Sequence, residues 1–339
     1  MKLFLLISLI LLGSCAQVTS LNLRKHEFGQ QPSRIIWFQI AGLEEEHLAM
    51  IRFSQVQNAP TSFENALCVG KTWDYSLAKL RNSASNEFMS QVVGKKSIKG
   101  SCEDTNNRAV WSYLATSGYR TGILEIKADE KESLMSFVPC EKGPNFLKTL
   151  HMWIMSKPPA NASTFHYVEP IAMKEDVVNY DRSCGVKGCS ASIANNYMAI
   201  YESFQKNSSK HIFIVRDFSY LKALKEKNFI LARDILRDLE KTLAIAQENG
   251  RKQGNLILVS TAETMLVDFP DQGVGWYDFE KDGSKATVKR QKLMNTVFAY
   301  GARSENFCGV YEGASLLERM LSGPKQQGLE FKFINPFKD

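Results

Sequence analysis

Residues 255–269 (NLILVSTAETMLVDF) place chemistry at the end of an apolar run. Leu256, Ile257, Leu258 and Val259 read as a short buried strand, and Ser260, Thr261, Glu263 and Thr264 follow at once. In open α/β sheets, ligands and catalytic groups gather at the carboxyl ends of such strands. A carboxylate and hydroxyls there suit acid–base work or cation binding. Cysteines are the other reactive set. With Cys15 set aside, Cys68, Cys102, Cys140, Cys184, Cys189 and Cys308 remain, and an even number in an exported chain favours disulfides. Cys184 and Cys189 enclose Gly-Val-Lys-Gly, a loop flexible enough for a local bridge. A zinc site is the competing reading, but it needs four ligands together. No second closely spaced Cys or His pair completes one. Some or all of the six remain candidates for buried thiols.

Positioning such groups requires strands alternating with helices, and the chain shows that pattern. Arg34 to Ile40 is an apolar run ending in Ala41-Gly42, followed by the acidic, helix-like Leu43 to Phe53. A helix over Ser83 to Val93 ends at Gly94, a good C-terminal glycine. Ala109 to Ser117 reads as helix and Thr121 to Ile126 as strand. Residues 140–190, with Pro158, Pro159 and Pro170, read as an irregular insert. His211 to Val215 is a further strand. Phe229 to Gln247 is the clearest helix, with Leu231, Ile235, Leu239, Leu243 and Ala246 at helical spacing and the four larger residues expected on one buried face. The strand at 256–259 and a last one at Thr296 to Ala299 complete the set. Alternation of this kind predicts a mostly parallel α/β sheet with helices on both faces.

Composition bounds the function. The chain has 339 residues, 44% of them hydrophobic and 11% aromatic, which is globular rather than disordered. The formal charge of +6 comes from interspersed residues. The densest basic run, Val288-Lys289-Arg290-Gln291-Lys292, reads as a solvated loop or helix surface, so nucleic acid is not an expected partner. Residues 1–14 have Lys2 and then LFLLISLILL, the h-region of a secretory signal and too short to span a bilayer comfortably. Leu12-Gly13-Ser14-Cys15 resembles a bacterial lipobox, in which Cys15 becomes the lipidated first residue. The alternative is an ordinary leader cleaved near Ala16. Ala16 and Gln17 in place of Asp imply the outer membrane under the usual bacterial sorting rule. Residues 15–33 then form the lipidated start and a polar tether, and 34–339 a single domain. The expected setting is a lipid-anchored protein of the bacterial cell envelope.

The second half of the chain resembles the alkaline phosphatases. HIFIV at 211–215, a helix carrying Asp238-Leu239-Glu240-Lys241-Thr242, LILVSTAET and VFAYGARSENFCGVYEGASLLERM follow in that family's order. The most specific match is Phe298-Ala299-Tyr300-Gly301 with Phe307-Cys308-Gly309-Val310-Tyr311. Upstream, Ile35 to Gly42 resembles the strand leading into the family's D-G. Ser83 to Gly100 resembles its nucleophile region, with Gly94 and Lys96 in step, and Thr121-Gly122-Ile123 resembles the strand that follows. The resemblance implies an alkaline-phosphatase-like fold and a site that hydrolyses phosphomonoesters through a serine, two zinc ions and a magnesium ion.

Position by position, the resemblance also implies that this site is depleted. The first strand's Asp is Ala41, the Glu after HIFIV is Arg216, and the Asp-His pair is Glu263-Thr264. Phe218 to Lys225 holds no counterpart of the family's next Asp and His, and 284–296 contains no histidine. The nucleophile falls on Ala84 or, one residue over, on Ser83 with Asn82 as the Asp; either register loses the acid. Of His26, His47, His151, His166 and His211, none falls on a ligand position. His47 reads as part of a surface helix and His211 as a structural residue before a strand. An Arg216–Asp217 or Arg216–Glu263 ion pair could replace metal, with solvated loop charge as the equal alternative. The reading is a catalytically degenerate envelope lipoprotein with a binding or structural role, no confident catalytic residue beyond the vestigial Ser83 and Glu263, and no metal or cofactor. Two alternatives stay open. One is a metal-dependent hydrolase rebuilt from Glu263, Asp217 and His151 or His166. The other is a binding module in which Arg216, with lysines near Lys95 and Lys96, holds an anion in the old pocket; a structural or partner-binding envelope protein is the default if neither holds.

Overall fold

The computed structural model describes residues 31–53, 60–73, 75, 79–140, 146–175, 177–186, 188–250, 254–271 and 273–321. The leader, Cys15, most of the tether and His26 lie outside the described residues.

Runs rich in Ile, Val, Leu and Phe make the strands. The first are β1 (Arg34–Ala41), β2 (Cys68–Trp73), β3 (Arg120–Ile126) and β4 (Leu150–Met155). Short pieces follow: β5 (Ser163–Phe165), β6 (Val178–Asp181), β7 (Cys184–Gly185) and β8 (Gly188–Cys189). Next come β9 (His211–Asp217), β10 (Asn255–Ala262) and β11 (Met265–Asp268). The last are β12 (Thr287–Gln291), β13 (Met294–Gly301) and β14 (Gly309–Glu312). Among the helices, α1 (Ala49–Arg52), α2 (Ala84–Val93), α3 (Val110–Ala115) and α4 (Ile193–Lys206) precede β9. After it come α5 (Ser219–Lys225), α6 (Phe229–Gly250), α7 (Val274–Asp282) and α8 (Ser315–Leu321).

Ten of these strands form one sheet in the order β14-β2-β13-β10-β1-β9-β3-β4-β6-β5. Neighbours run parallel except at β13, which is antiparallel to both β10 and β2. All five stretches read as strands lie in this sheet. Strand alternation sorts the core into two layers. Ile36, Phe38 and Ile40 of β1 face α4, α5 and α6, whereas Ile35 and Trp37 face α2, α3 and α8.

Four expectations change. Residues 140–190 are not irregular throughout: β4 is buried along its length and, with β6 and β5, extends the sheet, while Pro158, Pro159 and Pro170 fall in connections. Ile235, Leu239 and Leu243 are buried on α6, but Leu231 is 36% exposed. Steps of four residues precess about 40° per step around a helix, so two steps back from Leu239 leave the buried face. The buried stripe runs instead through Phe229, Ala232, Leu236, Leu239 and Ala246. His47 is buried rather than on the surface, because Phe269 closes over it with ring centroids 5.9 Å apart. The basic run at 288–292 is largely β12, paired antiparallel with β11, with Lys289 held by Asp268 at 3.0 Å and Lys292 by Glu44.

All six cysteines are paired, as Cys68–Cys308, Cys102–Cys140 and the local bridge Cys184–Cys189. Among the described residues, no helix is long and apolar enough to cross a membrane.

Candidate functional site

The carboxyl ends of β1, β3, β9 and β10 meet in one corner, because their register is in step. Gln39 pairs with Arg216, Arg216 with Glu125, and Ala41 with Ala262. Ala41, Ala84, Phe88, Phe218, Leu221 and Ala262 form a buried apolar cluster there. Phe88 from α2 and Phe218 from the loop before α5 meet edge to face at 5.4 Å. Gly42 turns the chain out of β1 with φ +86°, and a Cβ at that position would lie 2.9 Å from Leu221 Cα. Helix α5 is therefore pressed directly onto the end of β1.

Arg216 is sealed into this corner. Its Nη1 donates to Glu125 Oε2 at 2.9 Å, and both side chains are buried. The guanidinium carbon lies 5.7 Å from the Phe88 ring centre and 5.5 Å from that of Phe218. Burial pulls the Arg216 pKa down, and the carboxylates of Glu125 and Glu132 oppose this. Glu125 also accepts from the Ser133 hydroxyl and, at 3.1 Å, from Leu134 N. The expected partners Asp217 and Glu263 are replaced by Glu125, which sits directly across the β3–β9 ladder. The idea of solvated loop charge at Arg216 also falls, since its side chain is only 3% exposed.

Each remaining acid is committed elsewhere. Asp217 is wholly buried, and its carboxylate caps α5 by accepting from Ser219 N at 3.1 Å, Ser219 Oγ at 2.5 Å and Tyr220 N at 3.3 Å. Burial raises its pKa to about 6. Glu263, at φ 47°, places Oε2 3.0 Å from Ala84 N and Oε1 2.6 Å from Lys225 Nζ. A carboxylate thus fills the electropositive N-terminus of α2. Glu87 accepts from Glu263 N and, at 3.1 Å, from Asn295 Nδ2. Thr264 is buried, with its hydroxyl on Asn295 and 3.2 Å from Thr261 Oγ1. Ser83 is the N-cap of α2, its Oγ accepting from Asn86 N at 3.4 Å, and Ala84 opens the helix.

The other candidates lie away from the corner. His211, at the amino end of β9, is buried between Ser208 O at 3.0 Å and Tyr201 Oη at 3.1 Å. His151 lies in β4 beside Trp153, and His166 beside Tyr167. Lys95 and Lys96 follow the C-terminus of α2, a ten-residue helix about 15 Å long, so they stand at its far end from Glu263. Lys96 there pairs with Glu312 at 2.5 Å. The proposed union of Arg216 with Lys95 and Lys96 around one anion is not formed.

Zinc or magnesium would need at least three donors aimed at one point. In this corner the donors are turned onto backbone amides, Lys225 and Arg216, with Phe88 and Phe218 packed between them. The residues do not fit the metals. Elsewhere among the described residues, Asp181, Cys184 and Cys189 group closely enough to share a cation, but the two sulfurs are joined to each other. Reading residues singly missed Glu125, Glu87, Asn295 and the two phenylalanines. An acid inside the apolar strand TGILEI was the available signal for the first.

No protein-family profile matches the chain, and no curated protein is similar to it in sequence. Solved structures are similar in shape. Alkaline phosphatase from Thermus thermophilus aligns with a TM-score of 0.68 at 10% identity, covering 90% of this chain and 94% of that one. The fold is alkaline-phosphatase-like. The cold-active enzyme of a psychrophilic Shewanella aligns at 0.66 with 9% identity, covering 84% of this chain and 98% of that one. The alkaline phosphatase of the Antarctic bacterium TAB5 aligns at 0.64 with 11% identity, covering 86% and 98%. At such identities the likeness extends to the fold alone.

Proposed function

We propose that this chain is an exported protein that keeps an alkaline-phosphatase-like fold without its hydrolytic chemistry and serves a binding or structural role. The observation that carries the reading is the filled corner. Phe88, Phe218 and Leu221 occupy the space between strand ends, and Arg216–Glu125 closes it. An oxyanion or metal bound there would first have to expel this core. The paired cysteines support maturation outside a reducing compartment.

The purified mature chain, with zinc and magnesium supplied, is expected to hydrolyse aryl phosphomonoesters no faster than buffer. Loss of a single catalytic residue of a hydrolase costs on the order of 10⁴-fold or more, and several parts of the site are absent together here. Metal-dependent turnover that co-purifies with the chain and disappears in Glu263→Ala or Ser83→Ala would overturn the proposal in favour of a rebuilt hydrolase.

A further inference from the structure

Two asparagines stand in the Asn-X-Ser pattern read by N-linked glycosylation, Asn161-Ala162-Ser163 and Asn207-Ser208-Ser209, neither with a proline between. The fold puts both on the surface. Asn161 is exposed in the turn before β5, with φ 62°, a left-handed conformation that asparagine tolerates better than most residues. Asn207 is the exposed C-cap of α4, and its Nδ2 donates to Ser203 O at 2.9 Å. By contrast, Asn82, Asn179, Asn196, Asn255 and Asn295 are buried, and none has Ser or Thr two residues on. Asn306, in the weaker pattern Asn306-Phe307-Cys308, is 5% exposed, and its Cys308 is tied to Cys68. Three disulfides place the chain in an oxidising compartment, where oligosaccharide transfer also operates.

We propose that Asn161 and Asn207 carry N-linked oligosaccharides. The donor is a polyprenyl-diphosphate-linked oligosaccharide. Side-chain Nδ2 attacks sugar C1, an N–C bond forms, and the C1–O bond breaks with its electron pair leaving on the polyprenyl diphosphate. One Nδ2 proton is lost. Asn207 keeps its second proton for Ser203 O. At Asn161 the sugar stands beside β5, an outer edge of the ten-stranded sheet, where a bulky hydrated group blocks edge-to-edge pairing between molecules. The proposal goes with cleavage of the leader near Ala16 rather than lipidation of Cys15. It does not depend on whether the strand-end corner hydrolyses anything.

The test uses the protein from its own source. Peptide-N-glycosidase treatment in heavy-oxygen water converts each glycan-bearing asparagine to labelled aspartate, which peptide mass spectrometry locates. Label at Asn161 and Asn207, with none at Asn306, is the expected result. Label at one site alone sustains the proposal there and overturns it at the other. Unmodified asparagine at both sites overturns it, as does a lipid on Cys15 with both asparagines bare. In a eukaryotic secretory host, Ser163→Ala and Ser209→Ala should each remove one glycan step on a gel while leaving the asparagines in place. Wild-type chain secreted without either step counts against the proposal.

Discussion

Arg216 shows how a cation can be sealed among strand ends when a carboxylate faces it. A guanidinium removed from water is tolerable only when a charged partner meets it, and Glu125 supplies that partner and a hydrogen bond by its register across β3–β9. Breaking such a pair leaves an uncompensated buried charge. Glu125→Gln alone is therefore expected to destabilise the fold by roughly 3–5 kcal/mol. Arg216→Met with Glu125→Gln should recover most of that, because Gln still accepts from Leu134 N and no charge remains. Urea unfolding of both single variants and the double variant gives the coupling; additive losses would show that the two residues do not act as a pair. Arg216 near the end of β9 and Glu263 just past β10 were legible as strand-end residues in the sequence. Arg216's partner was not, because partners across a parallel ladder come from distant segments, here β3 and β9, that only the fold aligns. For the same reason Glu263 could not be seen to turn back onto the start of α2.

Helix α6 separates what periodicity can and cannot say about an element. Apolar spacing located the helix, which runs from Phe229 to Gly250. The choice of face followed a four-residue step, and the true stripe alternates threes and fours, so Leu231 falls at its margin. Truncation should expose the difference. Leu239→Ala, at 1% exposure, is expected to cost about 2–5 kcal/mol through lost burial and a residual cavity. Leu231→Ala should stay within about 0.5 kcal/mol. Equal losses in denaturant titrations would refute the assigned face. The strands at 34–41, 120–126, 211–217 and 255–262 were legible as dense apolar runs, since parallel strands covered on both faces need little alternation. The sheet's β4–β6–β5 side was not. There His151 interrupts the run of β4, while β5 and β6 are three and four residues long, too short for a period to register.

On the scale of the whole molecule, buried titratable groups set how the fold responds to acid. Burial lowers the pKa of His47 from 6.5 to about 3 and that of His211 from 6.5 to about 4. Between those values the unfolded chain binds more protons, so both histidines contribute stability above pH 6.5 that is lost as pH falls. Asp217 works in the opposite sense. Burial raises its pKa from 3.8 to about 6, the folded chain holds the extra proton across that window, and stability is lost as pH rises through it. Burial also raises Glu44, Asp238 and Glu240, whereas Glu45, hydrogen-bonded to Lys71 and Thr296 against the pull of its burial, is lowered to about 2. Total stability therefore mixes signs, and single variants isolate the parts. His211→Gln should lose less stability than wild type on going from pH 6.5 to about pH 4. The stability of Asp217→Asn relative to wild type should rise between about pH 4 and pH 6, by on the order of 3 kcal/mol, and be level above that. This second comparison bears directly on the strand-end corner. A carboxylate that served a cation would instead have its pKa depressed, and Asn in its place would gain nothing across that window. Guanidinium midpoints of both chains from pH 3.5 to 8, with and without zinc and magnesium, should show the same rise in both conditions. If added metal flattens or reverses it, Asp217 is a ligand and the filled corner opens to admit an ion.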